Sequence, residues 1–344
     1  MSAEHKQRLA PFSRGQCIVL GCLAAAPLLE RVIPSLQLSS PLRTVIVFAI
    51  MALGLNIVVG WTGLLNLGIA AFAAIGAYTF GILTCETYPF QVGFWWGILL
   101  AGIVGAFAGW LLGAPTLRLR GDYLAIVTLG FGEIVQDGLK NLEVITKGTQ
   151  GINPLPAPSF FGTVLTSENN VQWFYLYLAI LVVIVWLMRN LEFSRLGRQW
   201  FAVREDELAA RCMAICPDKT KLKAFAAGAA MAALSGALGA SLLSSTGEPS
   251  NYDFQISILA LCIVIVGGIG SITGVLLGAI VMVGLNVVVL PNIAESLQRN
   301  GIGSTSNVFS APNNYKFLIF GLALVLMMRY RPDGLLQTKK AVRS

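Results

Sequence analysis

Ten apolar runs dominate this 344-residue chain, near 17–36, 42–60, 63–84, 93–115, 121–139, 172–190, 222–244, 254–271, 272–290 and 315–331. Each approaches the ~20 residues that a helix needs to cross the hydrocarbon core of a bilayer. Lipid offers backbone N–H and C=O groups no partner, so a spanning run satisfies them within itself as a helix. Charged residues are 12% of the chain, about half the ~25% of soluble domains. The expectation is an all-α, polytopic membrane protein of about 8–10 transmembrane helices, with residues 1–344 forming a single transmembrane domain. The first run follows a basic start (Lys6, Arg8, Arg14) and resembles a signal peptide. It reads better as an uncleaved first span, because the spans that follow need no separate export signal.

Two Gly-rich breaks, Gly60-Trp-Thr-Gly63 and Gly267-Gly-Ile-Gly270, mark either span boundaries or short re-entrant turns. Both follow an outside-to-inside span, as in a duplicated half. Small residues recur every four positions in two five-member rows, Gly97, Ala101, Gly105, Gly109, Gly113 and Ala224, Gly228, Ala232, Gly236, Ala240. A third row begins at Gly270, Gly274 and Gly278. Rows of this kind let helix backbones approach closely, so they are expected to be packing seams.

Threading the spans with the amino terminus inside places 18 of the 24 basic residues in inside segments. That bias predicts cytoplasmic termini, with a cytoplasmic segment at 1–16 and a cytoplasmic tail at 332–344. The net charge of +7 therefore reflects orientation in a lipid membrane, and no nucleic-acid role is expected.

Thirteen of the 41 charged residues lie between Arg189 and Lys223. Charges of both signs are too costly to bury in lipid, so residues 191–221 should form a cytoplasmic loop that meets a soluble protein. Within it Arg204-Glu-Asp-Glu-Leu-Ala-Ala-Arg211 has helix-forming composition. The acidic run argues against simple attachment to anionic headgroups. A short amphipathic helix here would read complementary charges on a partner.

Catalytic chemistry is thin. No G-x-x-x-x-G-K-[ST] phosphate loop occurs, so ATP hydrolysis is not expected of this chain. Cys212 and Cys216 are spaced to meet on one helix face, but the only histidine is His5, and neither a metal nor a cofactor is expected. Glu133 is an acidic residue deep in a span, sharing a helix face with Ile126, Gly130 and Asp137. Such a residue either faces a water path or a partner, or fixes packing through an interhelical hydrogen bond. Asn56 and Asn66 flank the first break, and Asn66 is the better placed to offer an amide to a solute.

Several segments together resemble the LivM-type permeases of branched-chain amino-acid ABC importers. They are Gly76-Ala-Tyr78, Leu117-Arg-Leu-Arg-Gly-Asp-Tyr-Leu-Ala-Ile-Val-Thr-Leu-Gly-Phe-Gly-Glu-Ile134, Gly148-Thr-Gln-Gly-Ile152, Gly197-Arg198, Ala202-Val-Arg-Glu-Asp-Glu-Leu-Ala-Ala210, Lys221-Leu-Lys-Ala-Phe225, Gly267-Gly-Ile-Gly-Ser271 and Arg331-Pro-Asp-Gly-Leu-Leu336. The resemblance runs in order over about residues 42–338. It implies an inner-membrane permease subunit that pairs with a second, homologous permease, two ATP-binding subunits and a periplasmic solute-binding protein. It also implies that the ATPase docks on the segment containing Arg204, Glu205, Asp206, Glu207, Ala209 and Ala210. Two positions depart from the family pattern: Ala214 stands where Gly is usual, and Asn66-Leu-Gly-Ile69 replaces Ser-Leu-Gly-His. The solute would be a branched-chain or other small neutral amino acid, with urea or short amides as alternatives. A rival reading is an ion-coupled secondary transporter with Glu133 and Asp137 as relay. A further rival is a membrane scaffold with no transport role.

Overall fold

The computed structural model describes residues 13–32, 39–116, 122–156, 159–160, 163–164 and 170–289, with 321–322, 325, 329–331 and 334–336. Residues 1–12, the loop 291–314, most of the span expected at 315–331 and most of the tail expected at 332–344 lie outside the described residues, as does Leu117–Gly121.

The described chain is almost wholly helical. Helices α1 (Arg14–Val32), α2 (Ser39–Leu55), α3 (Ile69–Thr84), α4 (Phe94–Thr116) and α5 (Asp122–Asn141) are followed by the one-turn α6 (Glu143–Thr146). A two-residue antiparallel pair, Ser159–Phe160 with Thr163–Val164, interrupts the helical order. Then come α7 (Asn170–Glu192), α8 (Arg195–Glu205), α9 (Glu207–Cys212), α10 (Pro217–Leu243), α11 (Phe254–Gly267) and α12 (Ile272–Gly284). Among the described residues five segments are long and apolar enough to cross a membrane: Ser39–Trp61, Phe94–Thr116, Val171–Glu192, Pro217–Leu243 and Pro249–Gly267. Gly15–Ala25, Ile69–Thr84 and Ile272–Val287 are shorter apolar helices.

Helix α10 is the hub, packing most extensively on α4, α3 and α2. Its small residues explain how one helix serves three neighbours. A Cβ built on Gly228 would lie 2.8 Å from the Gly54 carbonyl of α2, and one on Gly236 would collide with the Ala73 carbonyl of α3. The row on α4 uses a different stripe of α10. Gly105 and Gly109 close onto Ala229 and Ala233, and Gly113 onto Leu222. The expected seams are therefore real, but the two five-member rows do not face each other. Dispersion between close backbones drives such contacts where no water is available to be excluded. The third row joins α11 to α12 as a hairpin, with Gly274 and Gly278 against Gly267 and Ile263.

The first break is not a clean boundary. Helix α2 widens into a π-helical turn over Asn56–Trp61 and continues without interruption past Gly60. It stops where Gly63 takes φ 71°, allowing Leu64 N–H to donate back to the Val58 carbonyl at 3.1 Å. Residues 62–68 are then largely irregular, so the span expected from 63 begins at Ile69.

Candidate functional site

Helices α8 and α9 occupy the middle of the charged island, and their local chemistry explains why they form. Ser194 caps α8, its Oγ accepting from Gly197 N–H at 3.2 Å. Asp206 separates the two helices and caps α9, its Oδ1 accepting from Leu208 and Ala209 N–H at 2.8 and 3.1 Å. Such a cap contributes about 0.5–2 kcal/mol. Helix α9 ends in a Schellman motif, with Ile215 N–H donating to Ala210 C=O and Ala214 N–H to Arg211 C=O, both at 3.1 Å. The left-handed residue of that motif is Ala214, at φ 59°. Glycine is the residue that adopts this conformation without a Cβ penalty, so Ala214 keeps the turn under strain.

The six sequence-predicted docking residues divide by where their groups go. Arg204 is exposed, but its Nη1 donates to the Gly60 carbonyl in the π-helical turn. Asp206 is the cap just described. Glu207 accepts from Lys221 Nζ at the foot of α10 (2.7 Å) and from Arg211 (3.0 Å). The hydrogen bond from Lys221, with support from Arg211, holds the Glu207 carboxyl below the ordinary carboxylate range despite partial burial. Ala210 is buried. Glu205 and Ala209 remain exposed. Beside them stand Leu208 and Met213, 75% and 78% exposed. The charges thus brace a frame whose outward face includes apolar side chains. Lys221 and the aromatic partners of the frame were not singled out in the sequence. Trp200 is buried, stacks on Trp61 with centroids 5.9 Å apart and donates to the Thr220 carbonyl at 2.8 Å. The signal available was Trp200, the one tryptophan between Arg189 and Lys223, which suggests an apolar anchor within the charged island but names no partner.

The two pathway candidates lie in connected segments but in different settings. Asn66 is buried, and its Oδ1 accepts from Gly68 N–H at 2.9 Å, shaping the irregular stretch between α2 and α3. That stretch is gripped by α5, where the Thr128 hydroxyl accepts from Leu67 N–H at 3.0 Å and donates to Ala125 C=O at 2.9 Å. Phe131 against Phe72 (5.4 Å) and Gln136 donating to the Pro249 carbonyl (3.2 Å) complete the inner face of α5. Its outer face is open. Tyr123, Ile126, Val127 and Ile134 are exposed, and Glu133 and Asp137 are exposed with them. Asp137 pairs with Lys140 at 3.5 Å near the helix end. Glu133 sits close to the middle of a 20-residue helix, where a carboxylate facing lipid would be costly.

Apolar helices joined by seams of small residues, with a charged helix pair braced beside them, define a multi-pass α-helical membrane protein. The chain belongs to the family described as "Branched-chain amino acid transport system / permease component", whose model matches residues 37–328. It is 40% identical over 311 residues to the high-affinity branched-chain amino acid transport system permease protein LivM of Salmonella typhimurium, covering 84% of this chain and 68% of that protein. Escherichia coli LivM is equally similar, 40% over the same length and coverage. Similarity extends at 25% over 305 residues to Escherichia coli LivH, covering 84% of this chain and 91% of the relative. No solved structure matches.

Proposed function

We propose that this permease subunit of a branched-chain amino-acid ABC transport system works in the inner membrane beside a second, homologous permease. Two ATP-binding subunits and a periplasmic solute-binding protein complete the assembly. Similarity to both LivM and LivH supports the pairing of permeases. Family membership favours this reading over an ion-coupled secondary transporter.

The ATPase docks on the outward face of α8–α9, on the cytoplasmic side. The observation that carries this is the exposure of Leu208 and Met213 on a helix pair braced by its own charges. Large exposed apolar side chains on a polar, extramembrane element are what a partner's cleft covers. Glu205 and Ala209 complete the contact, while Asp206, Glu207 and Ala210 hold its shape.

Solute passes along the outward face of α5, between the paired permeases, with Glu133 facing that path rather than lipid. Asn66 shapes the turn beneath it. Glu133 is the carboxylate near the middle of that face, which suits a zwitterionic amino acid whose ammonium it can meet. ATP hydrolysis on the partner subunits supplies the work.

The test is binding of the purified chain to its ATPase. Leu208→Asp with Met213→Asp should weaken binding by at least about tenfold, equivalent to ~1.4 kcal/mol, with folding intact. Unchanged affinity would place the docking surface elsewhere.

A further inference from the structure

We propose that Arg204 is a positioning residue that ties the docking element to the α11–α12 break through Gly60, Asn56 and Trp61. Displacement of α8–α9 by a bound ATPase is then delivered to Gly268–Gly270. The inference rests on the importer reading, and it concerns where within the membrane domain that work arrives.

The route is short and made of direct contacts. Arg204 donates to the Gly60 carbonyl. Gly60 lies so close to the second break that a Cβ on it would sit 2.7 Å from Gly270 N. From the same π-helical turn Asn56 Oδ1 accepts from Gly270 N–H (2.8 Å), and Trp61 Nε1 donates to Gly270 C=O (3.2 Å). The Trp61 ring also rests on α8, stacked on Trp200 and 6.0 Å from Phe201. One turn of helix therefore touches the docking element on one side and the α11–α12 break on the other.

The break itself is held from a distance. Helix α11 ends with carbonyls that have no partner within the helix. Leu335 N–H bonds Val266 C=O (2.9 Å) and Leu336 N–H bonds Gly267 C=O (3.2 Å), so the tail segment caps it across nearly seventy residues. Gly268, at φ 121°, is closely approached by the Gly334 backbone. A break whose backbone groups bond to other segments moves when those segments move. Asn56 Nδ2 is buried without a partner, so one donor at the junction is unmet in this arrangement.

The experiment uses the complete importer reconstituted in nanodiscs. Arg204→Ala should leave affinity for the ATPase within about twofold while lowering solute taken up per ATP hydrolysed by about tenfold, within the usual range of coupling between sites. Arg204→Lys keeps a donor and should recover most of the coupling. Amide exchange at Gly268–Ser271 should respond to ATP in wild type and not in Arg204→Ala. If Arg204→Ala folds poorly, Trp61→Phe removes the indole donor but keeps the ring, and should uncouple in the same way. Loss of ATPase affinity in proportion to uptake would make Arg204 a docking residue, and normal coupling in both Arg204→Ala and Trp61→Phe would remove the junction. Either result sinks this inference and leaves the importer reading standing. A wild-type chain that binds no ATPase sinks both.

Discussion

Helices α10 and α5 are both long and rich in small and apolar residues, yet they meet their surroundings in opposite ways. Helix α10 is lined by neighbours on two stripes, with Gly228 and Gly236 facing α2 and α3 while Ala229 and Ala233 face α4. Helix α5 is gripped along one face through Thr128, Phe131 and Gln136 and leaves Tyr123, Ile126, Glu133 and Ile134 uncovered. In a bilayer, apolarity does not separate a core face from an outer one, because lipid is as apolar as leucine. Side-chain size and charge do. Close rows of Gly and Ala mark helix–helix contact, and the exposed Glu133 and Asp137 mark the face of α5 that no neighbour in the chain covers.

The contrast breaks most sharply at glycine. Gly236→Leu drives a side chain into the Ala73 carbonyl, which as backbone has little room to yield. The expected cost is about 3 kcal/mol, the upper part of the overpacking range, seen as loss of folded protein in a detergent unfolding assay. The matching change on α5, Gly130→Leu, meets nothing within 4 Å and should leave the fold intact. Equal stability of the two variants would erase the distinction between the helices.

Glu133→Gln tests what the open face is for. It keeps size and hydrogen-bonding capacity but removes the charge, so folding and ATPase binding should persist. Reconstituted uptake should fall by about tenfold, or ~1.4 kcal/mol of lost stabilisation along the path. Uptake at the wild-type rate would reduce Glu133 to a packing residue.

Two smaller effects concern the foot of α10. Ala214→Gly relieves the left-handed alanine at the end of α9 and should stabilise the chain by about 1 kcal/mol, offset in part by the added freedom of glycine when unfolded. A melting temperature at or below that of wild type would show that the turn carries no strain. The ion pair from Glu207 to Lys221 should respond to pH with a definite sign. Its carboxyl titrates lower in the folded chain than the ordinary 4.5, so the contact contributes fully above that value and is lost as pH falls through the depressed one. The stability gap between wild type and Glu207→Gln should be constant from neutral pH to about 4.5 and close below it. A gap that widens on acidification would contradict the pairing.

Much of this was legible in the residues. Spans are a matter of length and polarity, so α4, α7 and α10 appeared close to their structural limits. The rows at 97–113 and 224–240 announced packing seams. Their pairing was not legible, because a small residue advertises that something comes close without saying what. The break at Gly60 was visible, but not that the helix runs through it as a π-helical turn and stops only after Gly63. The expected docking segment fell on α8–α9, while the roles of its charges could not be assigned from composition.

By itself the sequence determined that this chain is a multi-pass membrane helix bundle with one charged element set apart from lipid, because transfer free energy depends on residue type and run length alone. Only the tertiary structure decided that Glu207 braces α9 against Lys221, that Arg204 reaches Gly60, and that the two glycine breaks meet at Asn56, Trp61 and Gly270. Asn56 and Gly270 are 214 positions apart in the chain. Their contact exists because small residues let α2, α10 and the α11–α12 hairpin approach closely, a condition set by the packing of the whole bundle and written in no local stretch.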